Sequence, residues 1–294
     1  MNKVKIKIDE TKIEFGLDKV KFILSSNFEK SFNLIQCIRK YFNKVESSEY
    51  HQEKGNITMF TVDDEVLTHN RNKLYMVDAM FDIDKDIKLG SRSIASKYME
   101  AILEKIEFNE LSVTINSLIK ELADEISDIV SEKLKKDILI KINEINQKNL
   151  LKNIEISFIE DSLLQNQYDL TYEQIIIKQI KMINEISLSN QLVTNWIILN
   201  VPLITNKIYQ EINKDLNNQK YIIIADDIRV HLENDEVYWN GEHKQFDLLD
   251  EVQIYNEFTM DYPEHIDLEA SKYILNSFIN RTDKEITKKL HKLM

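Results

Sequence analysis

The chain has 294 residues, 43% of them hydrophobic and 30% charged, which is enough apolar material to core one large domain or two moderate ones. Its formal net charge of −12 argues against a uniformly basic nucleic-acid binder, and only 4 glycines and 2 prolines leave little stock for a glycine-rich phosphate loop. The single cysteine, Cys37, excludes an internal disulfide and reads as a buried core thiol in a reducing cytoplasm, while no stretch reaches the roughly 18 apolar residues of a membrane span and no apolar leader opens the chain.

Val4, Ile6 and Ile8 alternate with lysines, and Ile13, Phe15 and Leu17 repeat the pattern, so two strands are predicted around a turn near Glu10. A third strand spans residues 19–24. The Ser25-Ser26-Asn27 loop leads into a helix over 28–43, with Phe32, Ile35, Ile38 and Phe42 on its apolar face. Short strands follow at 57–60 and 74–77, the second ending on Asp78. The stripe Leu111, Ile115, Leu118, Leu122, Ile126, Ile129 marks a long amphipathic helix that can continue to Ile142, whole or broken. A second helix covers 172–186. The continuous apolar runs 196–200 and 221–225, with a helix over 206–216 between them, read as a β-α-β unit with strands covered on both faces. Asn240-Gly241 signals a hairpin within 236–246, and a final helix spans 268–290. Strands at both ends and helices between predict an α/β head, residues 1–90 and 191–294, with an inserted helical leg at 91–190. The hairpin and final helix extend the head.

Charge is polarised along the chain. Residues 225–270 hold 14 acids and 2 bases, whereas the first 45 residues hold 10 bases and 5 acids. Such a chain can present a basic face while staying acidic overall. Lys133, Lys135, Lys136, Lys141 and Lys148 gather late in the long helical region; lysine meets phosphate as a point charge without a sequence code.

No catalytic centre is legible, and the chain is read as a non-enzyme. Lys30-Ser31 match the last two positions of a phosphate loop, but Leu24 and Glu29 stand where its glycines belong, so no nucleotide is expected. The six histidines (His51, His69, His231, His243, His265 and His291) lack metal-ligand spacing. Asp82, Asp84 and Asp86 resemble the start of a calcium loop without its glycine or its final glutamate, and read as a solvated turn. Asp226-Asp227 end a buried strand and read as capping or solvated groups.

Several stretches in order resemble one family, the small adaptation protein of type II-A CRISPR systems that rings the ends of double-stranded DNA. Residues 73–84 (KLYMVDAMFDID) resemble its strand-Asp-turn element, and 93–106 (SIASKYMEAILEKI) the helix after it. Residues 154–170 (IEISFIEDSLLQNQYDL) resemble its acidic passage, and 172–216 its helix, the strand ending at Asn200 and the next helix. The resemblance covers roughly residues 1–230 and is carried by order and spacing.

The resemblance implies a head like a degenerate P-loop nucleotide hydrolase with a helical leg, and a homotetrameric ring whose basic lumen holds duplex DNA. It implies work in spacer acquisition beside two integrase-type subunits and an RNA-guided nuclease, and calcium in the legs. Calcium would fall to Glu155, Glu160 and Asp161, with Asp124, Glu125 or Asp128 as alternatives, because Ser157 and Ile159 replace further acids. Two readings from other classes stay open: an interaction scaffold that binds no DNA, and a divergent nucleotide hydrolase using Lys30, Ser31 and Asp226.

Overall fold

The structure is a computed structural model that describes residues 1–8, 11–45, 59–105, 108–129, 142–145, 150, 154–160, 163–214, 216–260, 262 and 264–290. The period-2 pattern at the start gives β1 (Asn2–Ile8) and β2 (Thr11–Leu17), paired antiparallel with Val4 opposite Phe15 and Ile6 opposite Ile13. These four side chains are buried, and the lysines between them point away. β3 (Val20–Leu24) opens a second sheet and leads into α1 (Phe28–Phe42), whose first turn is capped by the Asn27 side chain. β4 (Met59–Val62) and β5 (Glu65–Val66) complete the first sheet in the order β2-β1-β4-β5, and β6 (Asn72–Val77) joins the second.

Residues 81–170 form a compact unit of their own. It contains α2 (Ile83–Asp86), α3 (Ile94–Lys105), α4 (Phe108–Ile129) and the antiparallel strands β7 (Phe158–Glu160) and β8 (Leu163–Gln165). α4 carries the apolar stripe read from sequence, and Leu111, Leu118 and Leu122 on it are exposed. The described helix ends at Ile129, and residues 130–141, over which the stripe was read to continue, lie outside the described residues. Residues 142–145 are irregular, and the Asn116 side chain on α4 accepts from the Ile145 amide (2.8 Å) and donates to its carbonyl (3.0 Å).

The other unit comprises residues 1–80 and 171–294. Its second half begins with α5 (Tyr172–Ser189), which opens on a capping box of Thr171 and Gln174. Then come β9 (Thr194–Ile204), α6 (Asn206–Ile212), β10 (Gln219–Ile228), β11 (Val237–Asn240) and β12 (Gln245–Asp247). The tail forms α7 (Glu251–Ile254), α8 (Leu268–Ile279) and α9 (Lys284–Leu290). The helix read over 268–290 is thus broken. Arg281 adopts a left-handed φ of 53°, and the Asp283 side chain accepts from the Glu285 and Ile286 amides to start the next helix. The hairpin forms, but Asn240 pairs with Gln245 as a strand residue and the loop is the four residues after it.

The second sheet has the order β12-β11-β3-β10-β9-β6, parallel throughout except for β12. Its central strands are continuous apolar runs because both faces are covered. Trp196, Ile198 and Ile222 share a core with α1 and the first sheet. Ile197, Leu199 and Ile223 alternate to the opposite face and are also fully buried, as are Ile176, Ile180 and Ile183 of α5. Each such side chain contributes about 1.5–3 kcal/mol of burial. α1 buries Ser31, Leu34, Ile35 and Ile38, a face turned from the one read in sequence. Phe32 therefore stays 46% exposed, and Cys37 is only half-buried.

Candidate functional site

Parallel strands send their carboxyl ends to one edge, and ligands of open α/β sheets bind at that edge. Here β3, β9 and β10 border a cavity of about 390 Å³ whose lining includes Ser25, Ser31, Phe32, Asn200, Pro202 and Asp226. A neighbouring cavity of about 200 Å³ shares Ser25, Ser26 and Asp226 and adds Trp239, Phe278 and Arg281.

The strand-loop-helix at this edge is built differently from a phosphate cradle. The Asn27 side chain takes the Lys30 amide (3.2 Å), and its carbonyl takes the Ser31 amide (3.3 Å). The Ser25 hydroxyl donates to the Asn240 carbonyl at 2.7 Å. Lys30 turns its ammonium to the hairpin loop, donating to the carbonyls of Gly241 (2.7 Å) and Glu242 (3.0 Å). It therefore does not line the cavity. No residue from 25 to 31 adopts a left-handed φ, so the backbone does not wrap its N–H groups around a central point. Ser31 is buried, whereas Asp226 is exposed at the strand end.

The acidic residues singled out in sequence mostly cap. The Asp82 side chain accepts from the Lys85 amide at the start of α2, and the Gln167 amide reaches Asp82 (3.2 Å) and Asp84 (3.3 Å). Asp86 accepts from the Ala95 amide (2.7 Å) at the start of α3, and burial holds its carboxyl above the usual range. Asp78 closes a turn on Met80. Asp227 meets Arg229 (3.0 Å) and Arg281 (3.5 Å). In the acid-rich stretch, Asp250 and Asp267 cap α7 and α8. The surplus of charge there is thus partly built into helix starts.

Sequence reasoning missed a buried ion pair. Lys21 on β3 is fully buried, and its ammonium donates to Asp247 Oδ1 (2.7 Å) and to the Asp235 carbonyl (2.8 Å). Asp247 also accepts from the amides of Gly16 (2.6 Å) and Leu249 (3.1 Å). Burial pushes the Lys21 ammonium below its ordinary value, opposed by the Asp247 carboxylate. The signal was available: a lysine inside the apolar run VKFIL is either solvent-facing or needs a partner, and a strand covered on both faces leaves only the second option.

Lys133, Lys135, Lys136, Lys141 and Lys148 lie outside the described residues, as do Asp161, His51 and His291. Glu155 is exposed ahead of β7, and Glu160 ends that strand with a side chain outside the described set. Asp124, Glu125 and Asp128 are exposed on α4. Among the described residues no group of three His, Cys, Asp or Glu side chains could hold a metal ion. His69 packs against Tyr41 with ring centroids 5.1 Å apart, and His231 sits 3.9 Å from Glu233. No described helix is long and apolar enough to cross a membrane.

The fold defines a class: a mixed α/β protein with helices and several sheets, among them a mostly parallel six-stranded one. No protein-family model and no curated protein matches the chain. Among solved structures it is similar to Stu0660 of Streptococcus thermophilus, with a TM-score of 0.69, 13% identity, and coverage of 94% of this chain and 85% of that one. At that identity the likeness speaks for the fold alone.

Proposed function

We propose that this chain binds the ends of double-stranded DNA without catalysis and without regard to sequence, as a homotetrameric ring serving spacer acquisition in a CRISPR system. The head, residues 1–80 and 171–294, takes the part of a degenerate nucleotide hydrolase, and residues 81–170 that of the leg. The observation that carries the non-catalytic part is the commitment of Lys30 to the carbonyls of Gly241 and Glu242, away from the sheet-edge cavity. The ordered resemblance of residues 73–84, 93–106, 154–170 and 172–216 supports the DNA-end role. The fold held in common with Stu0660 across 94% of the chain agrees with that resemblance at the level of the fold.

Lys133, Lys135, Lys136, Lys141 and Lys148 supply the phosphate contacts, and four copies converging on one opening sum their charge despite the net −12 of each. Integrase-type subunits and an RNA-guided nuclease are the partners. Calcium falls to Glu155, Glu160 and Asp161. Along an extended segment Ser157 and Ile159 take the positions that share the face of Glu155, so the donor set is thin, and no step of binding is routed through the metal.

The test is a binding titration on linear duplexes of unrelated sequence. Similar affinities are expected, falling steeply with salt at a log-log slope of about −0.9 per phosphate contact, and lost when both duplex ends are blocked. A flat salt dependence, or undiminished binding to blocked duplexes, contradicts the proposal.

A further inference from the structure

The 390 Å³ cavity at the carboxyl edge of the parallel sheet falls in the size range of small-molecule sites, roughly 300–1,000 Å³. Its charge is the opposite of what a phosphate needs. Among the described residues the ionisable side chain that lines it is Asp226, and Lys30 is held away by two carbonyls. The Asp226 side chain makes no hydrogen bond and no ion pair among the described residues, whereas that of its neighbour Asp227 is engaged by two arginines. The positive end of α1 also faces this region, but Glu29 in its first turn and the Asn27 cap answer it locally.

Phe28 and Phe32 line the same cavity. Their rings stack, with centroids 6.3 Å apart, and they are 82% and 46% exposed, which leaves aromatic surface open to a ligand. An aromatic face attracts a cation through its quadrupole, and an unpaired carboxylate on the same cavity adds a full charge. Ile23, Ile35 and Val201 add apolar lining to the cavity, which suits a hydrocarbon chain. The adjoining 200 Å³ cavity carries Arg281, which disfavours a second positive group there. We propose that the sheet-edge cavity binds a small aliphatic ammonium ion, its charged head at Asp226 and its chain against Phe28 and Phe32. This proposal rests on Asp226, Phe28 and Phe32 and not on the lysines assigned to DNA, so it stands or falls apart from the function proposed above.

The full-length chain is titrated by calorimetry with n-butylammonium, with n-butanol and inorganic phosphate as comparison ligands. Saturable binding of one ammonium per chain is expected, at least tenfold tighter than the alcohol, with no phosphate binding. Asp226→Asn should weaken it at least tenfold, and the Phe28→Ala/Phe32→Ala double variant several-fold. Asp226 is exposed and its side chain has no partner among the described residues, and circular dichroism with melting curves verifies that each variant folds. Equal affinity for the alcohol overturns the proposal. So does saturable phosphate binding, no saturable ammonium binding, or an Asp226→Asn variant that binds as well as the parent.

Discussion

Removing the Asp247 carboxylate, as in Asp247→Ala, strands the Lys21 ammonium in the core with only the Asp235 carbonyl for a partner. The Gly16 and Leu249 amides lose their acceptor in the same step. Breaking one side of a buried pair costs about 3–5 kcal/mol, because the remaining charge stays desolvated. At roughly 2–3 °C per kcal/mol for a chain of this size, the melting temperature should fall by about 6–15 °C. Lys21→Met should cost less, since Asp247 keeps two amide donors. The double variant Lys21→Met/Asp247→Leu removes both charges and leaves two unpaired amides at about 1–3 kcal/mol each. It should therefore be more stable than the sum of the single losses implies. Chemical denaturation of the four proteins reads this directly. Single losses within about 0.5 kcal/mol of the parent, the range of ordinary surface changes, would refute a buried, mutually dependent pair. Strictly additive losses would refute it as well.

Three further outcomes follow from the same structure. The Tyr209 hydroxyl, half-buried and bonded to Glu236, is pushed up to about 12 by burial first and by that carboxylate second. Its neutral form is favoured in the folded state, so its contribution is complete below the ordinary value of 10.0 and is lost as pH climbs toward 12; Tyr209→Phe should remove that part of the alkaline melting curve. Burial, then Lys44 and Lys73, hold His69 below its ordinary 6.5, so its contribution is present above that value and lost as pH falls, and His69→Phe should flatten the acid limb. If Glu155, Glu160 and Asp161 hold calcium, a chelator should lower the melting temperature of the parent and leave a Glu160→Gln/Asp161→Asn variant unmoved; equal curves for the parent with and without chelator would remove the metal from the protein.

The elements whose side chains obey one simple period were legible. Ile6 and Ile13, or Ile197 and Ile223, reveal strands because each sits on a face that is wholly buried. Helix phase was harder. Phe32 looked like core because it is large and apolar, yet the small Ser31 is buried instead, because the buried face of α1 runs through Ser31, Leu34, Ile35 and Ile38. The tail misled for a local reason: Arg281 breaks the helix in a left-handed conformation that neither glycine nor proline announces.

At the sheet edge, the lack of glycine in residues 25–31 goes with a backbone that adopts no left-handed φ there. Nothing in one dimension foretold that Lys30 reaches a loop 211 residues away, because that contact exists only once the hairpin pairs beside β3. The same is true of Lys21 and Asp247, 226 residues apart. A buried polar group was equally hidden: Gln219 donates to both Asn184 and Ser187 at 2.9 Å, residues 35 and 32 positions away in sequence.

Lysines drawn from several copies into one basic opening are the heart of the proposed function, and sedimentation velocity of the purified chain with an open-ended linear duplex measures that most directly. Four copies should travel with one duplex. They should release it when Lys133, Lys135, Lys136, Lys141 and Lys148 are changed together to glutamate, with the tetramer itself intact. A chain that sediments as a monomer, or a glutamate variant that holds the duplex as firmly as the parent, would contradict it.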